Sequence, residues 1–283
     1  MENTQRTIYA AYLQTCRELN IPITIFDYTT LNQALNIQYP YTYPANINPY
    51  LQYAVFGNGG NTFTSGTNGQ QQPVPIQHLA TDANLYNMLP LSLRLPNNDL
   101  TPTQMAGYRL RTTVTINGTQ YIAYYGLLLS LNPVAVSLNS ITNQNGQSTT
   151  TLFVPSAANL SPSPQNLTNL SVNSVTGDYV NVNSLLPLNL TASQVSEFIN
   201  ACNILYGSPS SAIISEIGLC TGYDITVAGT SNGASINYSE AVAVQINAFI
   251  NTFYAMYYSQ NGLNLTFNVG ATEPLMLLEA ASS

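Results

Sequence analysis

The chain has 283 residues, of which 45% are hydrophobic, enough for one large domain or two smaller ones. Charged residues are only 6%, against a common figure of about 25%. Five arginines, no lysine and a net charge of −7 exclude a phosphate-neutralising nucleic-acid binder, and the hydrophobic content excludes a disordered chain.

The polar surface must therefore be built from Asn, Gln, Ser, Thr and Tyr. Neutral amides and hydroxyls do not repel one another, so copies of such a surface associate readily. Twenty tyrosines point the same way, because Tyr favours contacts that bury its ring while its hydroxyl stays paired. These properties predict a homo-oligomer with no direct nucleic-acid readout.

In chain order, residues 4–19 read as an N-terminal helix with Ile8, Tyr12, Leu13, Cys16 and Leu19 on one face. The N-terminal stretch lacks the apolar core of a signal peptide, which predicts synthesis in the cytoplasm. Ile21–Asp27 reads as a short apolar strand. Residues 28–56 carry little helix signal, the Pro/Tyr/Asn-rich run from Tyr39 to Tyr53 reads as extended and irregular, and 58–72 as a Gly/Asn loop. Residues 108–116 and 119–129 flank Asn117-Gly118, the dipeptide of a type I′ turn. A two-residue turn sets Ile116 opposite Thr119, Val114 opposite Tyr121, Thr112 opposite Ala123 and Leu110 opposite Tyr125. It also places Arg111 against the Tyr124 ring. Gly126 reads as a bulge position.

A second hairpin is expected from Val134–Thr142 to Thr149–Val154, followed by an extended Pro/Ser-rich arm over 155–173. From Thr191 the pattern turns helical, with Thr191 or Ser193 as cap and Val195, Phe198, Ile199 and Cys202 on one face. Ser211–Thr221 suits either a strand or a short helix. Tyr223–Ala228 reads as a short strand turned by Gly229 and Asn232-Gly233. Asn237–Gly262 has Val242, Ile246, Phe249, Ile250, Phe253, Met256 and Tyr257 at 3.6-residue spacing, with Ala241, Ala248 and Ala255 as a second stripe. It predicts the longest, central helix, and its interspersed polar residues argue against a membrane span. Leu263–Val269 alternates as a closing strand ended by Pro274.

The expected fold is α+β: one domain over 1–283 with an antiparallel β-rich core, C-terminal helices packed on it, and extended arms. Its parts are the N-terminal helix 1–20, a β-rich part 21–130, a hairpin and arm 131–188, and a helical part with a closing strand 189–283.

No motif names a reaction. Gly57-Asn58-Gly59-Gly60 lacks the lysine and helix of a phosphate loop. His78 is the lone histidine and reads as a hydrogen-bonded structural residue. Glu197, Glu216, Asp224 and Glu240 are the acids available for a glycosidase-type pair, but their spacing carries no signal. Glu216, in an apolar run, fits a capping or ion-pair role. Cys16, Cys202 and Cys220 read as buried thiols. No catalytic, cofactor or metal residue is assigned.

The phrases YGSPSSAIISEIGLCTGYD, YSEAVAVQINAFINTFYA and LNLTFNVGATEPL, within 190–274, resemble the C-terminal part of virion structural proteins of large tailed bacteriophages. YRLRTTVTINGTQYIAYYG, 108–126, resembles a hairpin of the same group. The resemblance implies a capsid, neck or tail component that self-associates and interlocks with other virion proteins, is located in the virion, and is not an enzyme. Two alternatives fit the composition: a coat or surface-layer protein of an acid-adapted organism or its virus, and a carbohydrate-binding or glycoside-cleaving protein.

Overall fold

The computed structural model describes residues 3–274, apart from 40, 45–46, 67–68, 132–133, 145, 158–178 and 260. The chain comprises two compact units. One comprises Met1–Ser130 with Leu188–Asn264, the other Leu131–Pro187 with Leu265–Ser283. Both are built on antiparallel strands.

The first unit holds an eight-stranded sheet. Its strands are β1 (Asn3–Arg6), β2 (Tyr50–Gly57), β5 (Met88–Leu89), β6 (Ser92–Arg94), β7 (Tyr108–Ile116), β8 (Thr119–Leu128), β12 (Ile213–Ser231) and β13 (Ala234–Ala255). The order is β1-β13-β12-β2-β8-β6, with β5 on β2 and β7 on β8. A separate ribbon pairs β3 (Asn61–Ser65) with β4 (Gln71–Pro75). The helices are α1 (Ile8–Glu18), two single turns α2 (Leu31–Ala34) and α3 (Pro102–Met105), and α4 (Ala192–Tyr206).

The hairpin across Asn117-Gly118 forms as expected, with φ of +50° and +77° at the turn. Ile116, Val114 and Thr112 face Thr119, Tyr121 and Ala123, and Arg111 faces Tyr124. Leu110 departs from the ladder with φ +55°. Gly126 stays in register opposite Arg109 rather than forming a bulge; a Cβ there would lie 3.3 Å from the Arg109 carbonyl oxygen. The helix from Thr191 also forms. Thr191 and Gln194 make a reciprocal capping box, and Val195, Phe198, Ala201 and Cys202 are buried.

The predicted central helix is instead strand β13, which runs beside β12 from the turn at Asn232-Gly233. That turn has φ of +51° and +76°, the same chemistry as the first hairpin. Residues Ala241–Gln245, paired with β12 along one edge and touched by Asn32, are all buried; β1 lies further along, against Ala248–Asn251. A strand covered on both faces loses its period of two and reads as a continuous apolar run, in which any period can be found. The β-branched Val242, Val244, Ile246 and Ile250 fit that covered strand. The register also slips between Thr221 and Tyr223, where Ala243 takes φ +55°. Such a bulge breaks alternation further. Its freed backbone groups are met by buried Asn32, which donates to the Ala241 carbonyl at 2.7 Å and accepts from the Val244 N–H at 3.0 Å.

Other expectations are corrected. Residues 3–6 are strand, and the N-terminal helix starts at Ile8, capped by Thr7. Of its predicted face, Leu13 and Cys16 are buried while Ile8, Tyr12 and Leu19 are exposed. Residues 21–26 are irregular, with Ile21 and Phe26 exposed, so no strand forms there. Residues 50–53 belong to β2, and the loop 58–72 contains β3. Among the described residues no α-helix follows α4, only single 3-10 turns at Pro209–Ser211 and Met256–Tyr258. The main core packs Leu31, Tyr53, Val55, Leu110, Val244, Ile246 and Phe249 together.

The second unit holds a four-stranded sheet in the order β10-β9-β11-β14. Its strands are β9 (Val136–Gln144), β10 (Gln147–Leu152), β11 (Tyr179–Leu190) and β14 (Leu263–Pro274). The second hairpin is present with a shorter turn than expected, since Gln144 already pairs with Gln147. Strand β14 forms but joins this sheet, not the eight-stranded one. Most of the predicted arm, from residue 158 on, lies outside the described residues.

Replacing Asn32 by Ala strands a buried N–H and a buried carbonyl at the bulge, each costing about 1–3 kcal/mol. Urea unfolding of Asn32→Ala is expected to show a lower midpoint with an unchanged slope. An unchanged midpoint would show that the bulge needs no support.

Candidate functional site

The few charges of this chain are mostly drawn inward. Glu216 lies on β12 where the register slips after Ile214, and it is fully buried. Its Oε1 accepts from the backbone N–H of Gly59 at 3.0 Å and Asn87 at 2.9 Å. Its Oε2 accepts from the Tyr86 N–H at 3.0 Å and pairs with His78 Nε2 at 3.0 Å. His78 Nδ1 faces Asp82 Oδ2 at 3.1 Å, and that oxygen also accepts from the Leu79 N–H. Both ring nitrogens therefore meet carboxylate oxygens, each of which also accepts a backbone N–H. The ring stacks between Phe249, at a centroid distance of 3.8 Å, and Tyr86, at 4.2 Å.

This explains the glycine run. A Cβ on Gly57 would sit 2.5 Å from Glu216 Oε1, and one on Gly60 would sit 2.4 Å from the Ser215 carbonyl. The glycines let the loop close around an internal carboxylate, not a phosphate.

The other acids have their own donors. Asp224 is held bidentately by Arg109 at 2.9 and 2.7 Å and accepts from the Tyr53 hydroxyl at 2.6 Å. Burial pulls the Asp224 pKa up, but the Arg109 and Tyr53 hydrogen bonds outweigh it and hold the carboxyl below its ordinary value. Asp99 takes Arg111 at 2.8 Å and the Tyr124 hydroxyl at 2.7 Å, and Arg111 lies over the Tyr124 and Tyr238 rings. Glu197 binds Arg94 and the Ser92 hydroxyl. Glu240, at 0% exposure, accepts from the N–H groups of Leu110, Arg111 and Ala241 at 2.6–2.8 Å, filling the break in β7. Burial pushes its pKa up to about 7, against the pull of those donors.

Among the described residues no hydrogen bond joins any two of Glu197, Glu216, Asp224 and Glu240. The structure does bring His78 to Glu216, a pairing that residue spacing did not reveal because 138 residues separate them. The three cysteines are free and buried. No helix of the described residues is long and apolar enough to cross a membrane.

The outer surface is the complement of this interior. Among the described residues the exposed charged side chains are Arg6, Arg17, Glu18, Asp224 and Glu273, and Asp224 is already bound to Arg109. Large apolar side chains stand out instead, among them Tyr28 at 84% and Tyr258 at 81% exposure. They also include Val136, Leu138, Leu152 and Val182 on the sheet of the second unit.

The model of a family of unknown function, DUF7208, matches residues 1–283, so the chain belongs to that family. No curated protein and no solved structure matches it.

Two expectations follow from the buried acids. Glu216→Gln aims an amide N–H₂ at groups that are themselves donors, and breaking a buried pair in this way costs about 3–5 kcal/mol. Hydrogen exchange at the Tyr86 and Asn87 amides should accelerate with that loss; unchanged protection would show that the clamp is dispensable. The second concerns pH. Glu240 has a raised folded pKa, so its contribution is full below the ordinary carboxylate range and is lost as pH rises through about 7. Asp224 has a lowered one, so its contribution is present above the ordinary range and is lost as pH falls through its folded value. Urea unfolding across pH 5–8 should show a decline in the native chain that is shallower in Glu240→Gln. Parallel declines in the two proteins would refute the assignment.

Proposed function

We propose that this member of DUF7208 is a structural subunit of a tailed-phage particle, in the capsid, neck or tail. It works by self-association and by interlocking with other virion proteins. The observation that carries the reading is the separation of charge from surface. Acids and arginines neutralise one another inside the first unit, while the outer face keeps neutral amides, hydroxyls and large apolar side chains. Exposed Tyr28, Phe26, Tyr258 and Leu152 are costly in water and inexpensive against another protein surface. The resemblance of 108–126 and 190–274 to virion proteins supplies the phage context. Localisation in the virion follows from the same proposal.

A coat protein for acidic surroundings is the second reading. It is favoured by Glu240, whose buried carboxyl is better accommodated protonated than charged. Assembly that persists at about pH 2–3, well below the ordinary carboxylate range, would favour it over the first.

Electron microscopy and sedimentation of the full chain at high concentration test the proposal. Rings, tubes or lattices are expected. A well-folded, monodisperse monomer at every concentration would overturn it.

A further inference from the structure

We infer that the outer edge of β10 is a self-pairing interface, on which a second copy of this chain lays its own β10 antiparallel to the first. The inference deepens the self-association reading and rests on it.

The Phe153 N–H donates to the Leu138 carbonyl at 2.9 Å, which continues the register that pairs Gln147 with Gln144. Backbone groups alternate sides along a strand, so the odd-numbered residues of this stretch face β9. The N–H and C=O groups of Ser148, Thr150 and Leu152 point the other way. Strand β10 ends the sheet order, and among the described residues nothing hydrogen-bonds those outward groups. All six residues of the strand, QSTTTL, are exposed.

Proteins usually protect such an edge with charge, proline or a bulge. Strand β10 has none of these. The opposite edge, β14, does: it carries Glu273 and ends at Pro274. One edge of the sheet is guarded and the other is open.

The open edge complements itself. With Thr150 opposite Thr150 of the second copy on a two-fold axis, Ser148 falls opposite Leu152 and Leu152 opposite Ser148. All the outward N–H and C=O groups then find partners, about six hydrogen bonds in total. Thr149 and Thr151 form the intervening non-hydrogen-bonded pairs, with Cα atoms about 4.5 Å apart. Side chains stay on matching faces in this register. Strands β9, β10 and β11 contain no charged residue, so two copies meet without like-charge repulsion. A six-residue strand, roughly 20 Å long, is smaller than a stable isolated interface requires. The contact is therefore weak alone and firm where many copies add together.

Cysteine mixing tests the register. The native cysteines are buried, and Thr149 and Thr151 are exposed, so Thr149→Cys and Thr151→Cys proteins should fold. Under mild oxidation at assembling concentration, an equimolar mixture should give roughly fivefold more disulfide dimer than either protein alone, because only 149–151 pairs are adjacent. Equal yields in all three samples, or no dimer, would overturn the edge. Thr150→Pro, which removes an outward N–H, should lower the assembled fraction in sedimentation with an unchanged circular dichroism spectrum; undiminished assembly counts against the edge. If the native chain assembles but the mixture does not cross-link, the β10 interface fails while the self-association reading stands. If the native chain stays monomeric throughout, both fail.

Discussion

A carboxylate removed from water must be surrounded by donors, and in the first unit that requirement organises the chain. Glu216 draws on N–H groups at Gly59, Tyr86 and Asn87 and on the ring of His78. These residues lie on the long connection between β2 and β6, which also carries the β3–β4 ribbon, the short β5 and buried Leu85, Leu89 and Leu91. The acceptor on β12 ties Gly59, Tyr86 and Asn87 of that connection to one side chain. The glycines at 57 and 60, the stacking of His78 on Phe249, and the placing of Asp82 are all subordinate to that carboxylate.

Glu240 repeats the device on the neighbouring strand. There the acid fills a break in β7 at Leu110, while Asn32 serves the bulge a few residues further along β13. Two irregularities in the ladder are thus each met by one buried polar side chain. Arg109 and Arg111, on β7 beside the break, neutralise Asp224 and Asp99. With so few charges in the sequence, using many of them internally leaves few charged side chains on the described surface. That is the physical link between the interior network and the self-association proposed for this chain.

Local chemistry was readable from the sequence where one dipeptide or one cap decides the outcome. Asn117-Gly118 set the first hairpin and most of its register, and Thr191 with Gln194 set the start of α4. Burial by distant segments was not readable. β13 has strand neighbours on both edges and an apolar middle buried on both faces, so its composition matched a helix as well as a strand. The deciding signal was the Asn232-Gly233 turn just before it, the same dipeptide that made the first hairpin legible. The ends of α1 failed for a related reason: Ile8 and Leu19 match a helical face, yet the sheet takes up only Ala10, Leu13 and Cys16. In the candidate site, Glu216 stood out as an acid in an apolar run. Its partner was not, because pairing across the sheet leaves no local pattern.

Burying the ion pairs has a consequence for how this protein responds to its medium. Dissolved electrolyte weakens attractions between exposed charges over a Debye length of about 10 Å at 0.1 M, but reaches enclosed pairs much less. The Arg111–Asp99 pair and Glu216 with its N–H donors are enclosed, and few charged side chains stand on the described surface. Brine and dilute buffer should therefore look much alike to this chain, and the proposed contacts between its copies would persist through swings in ionic strength that dissolve charge-steered complexes.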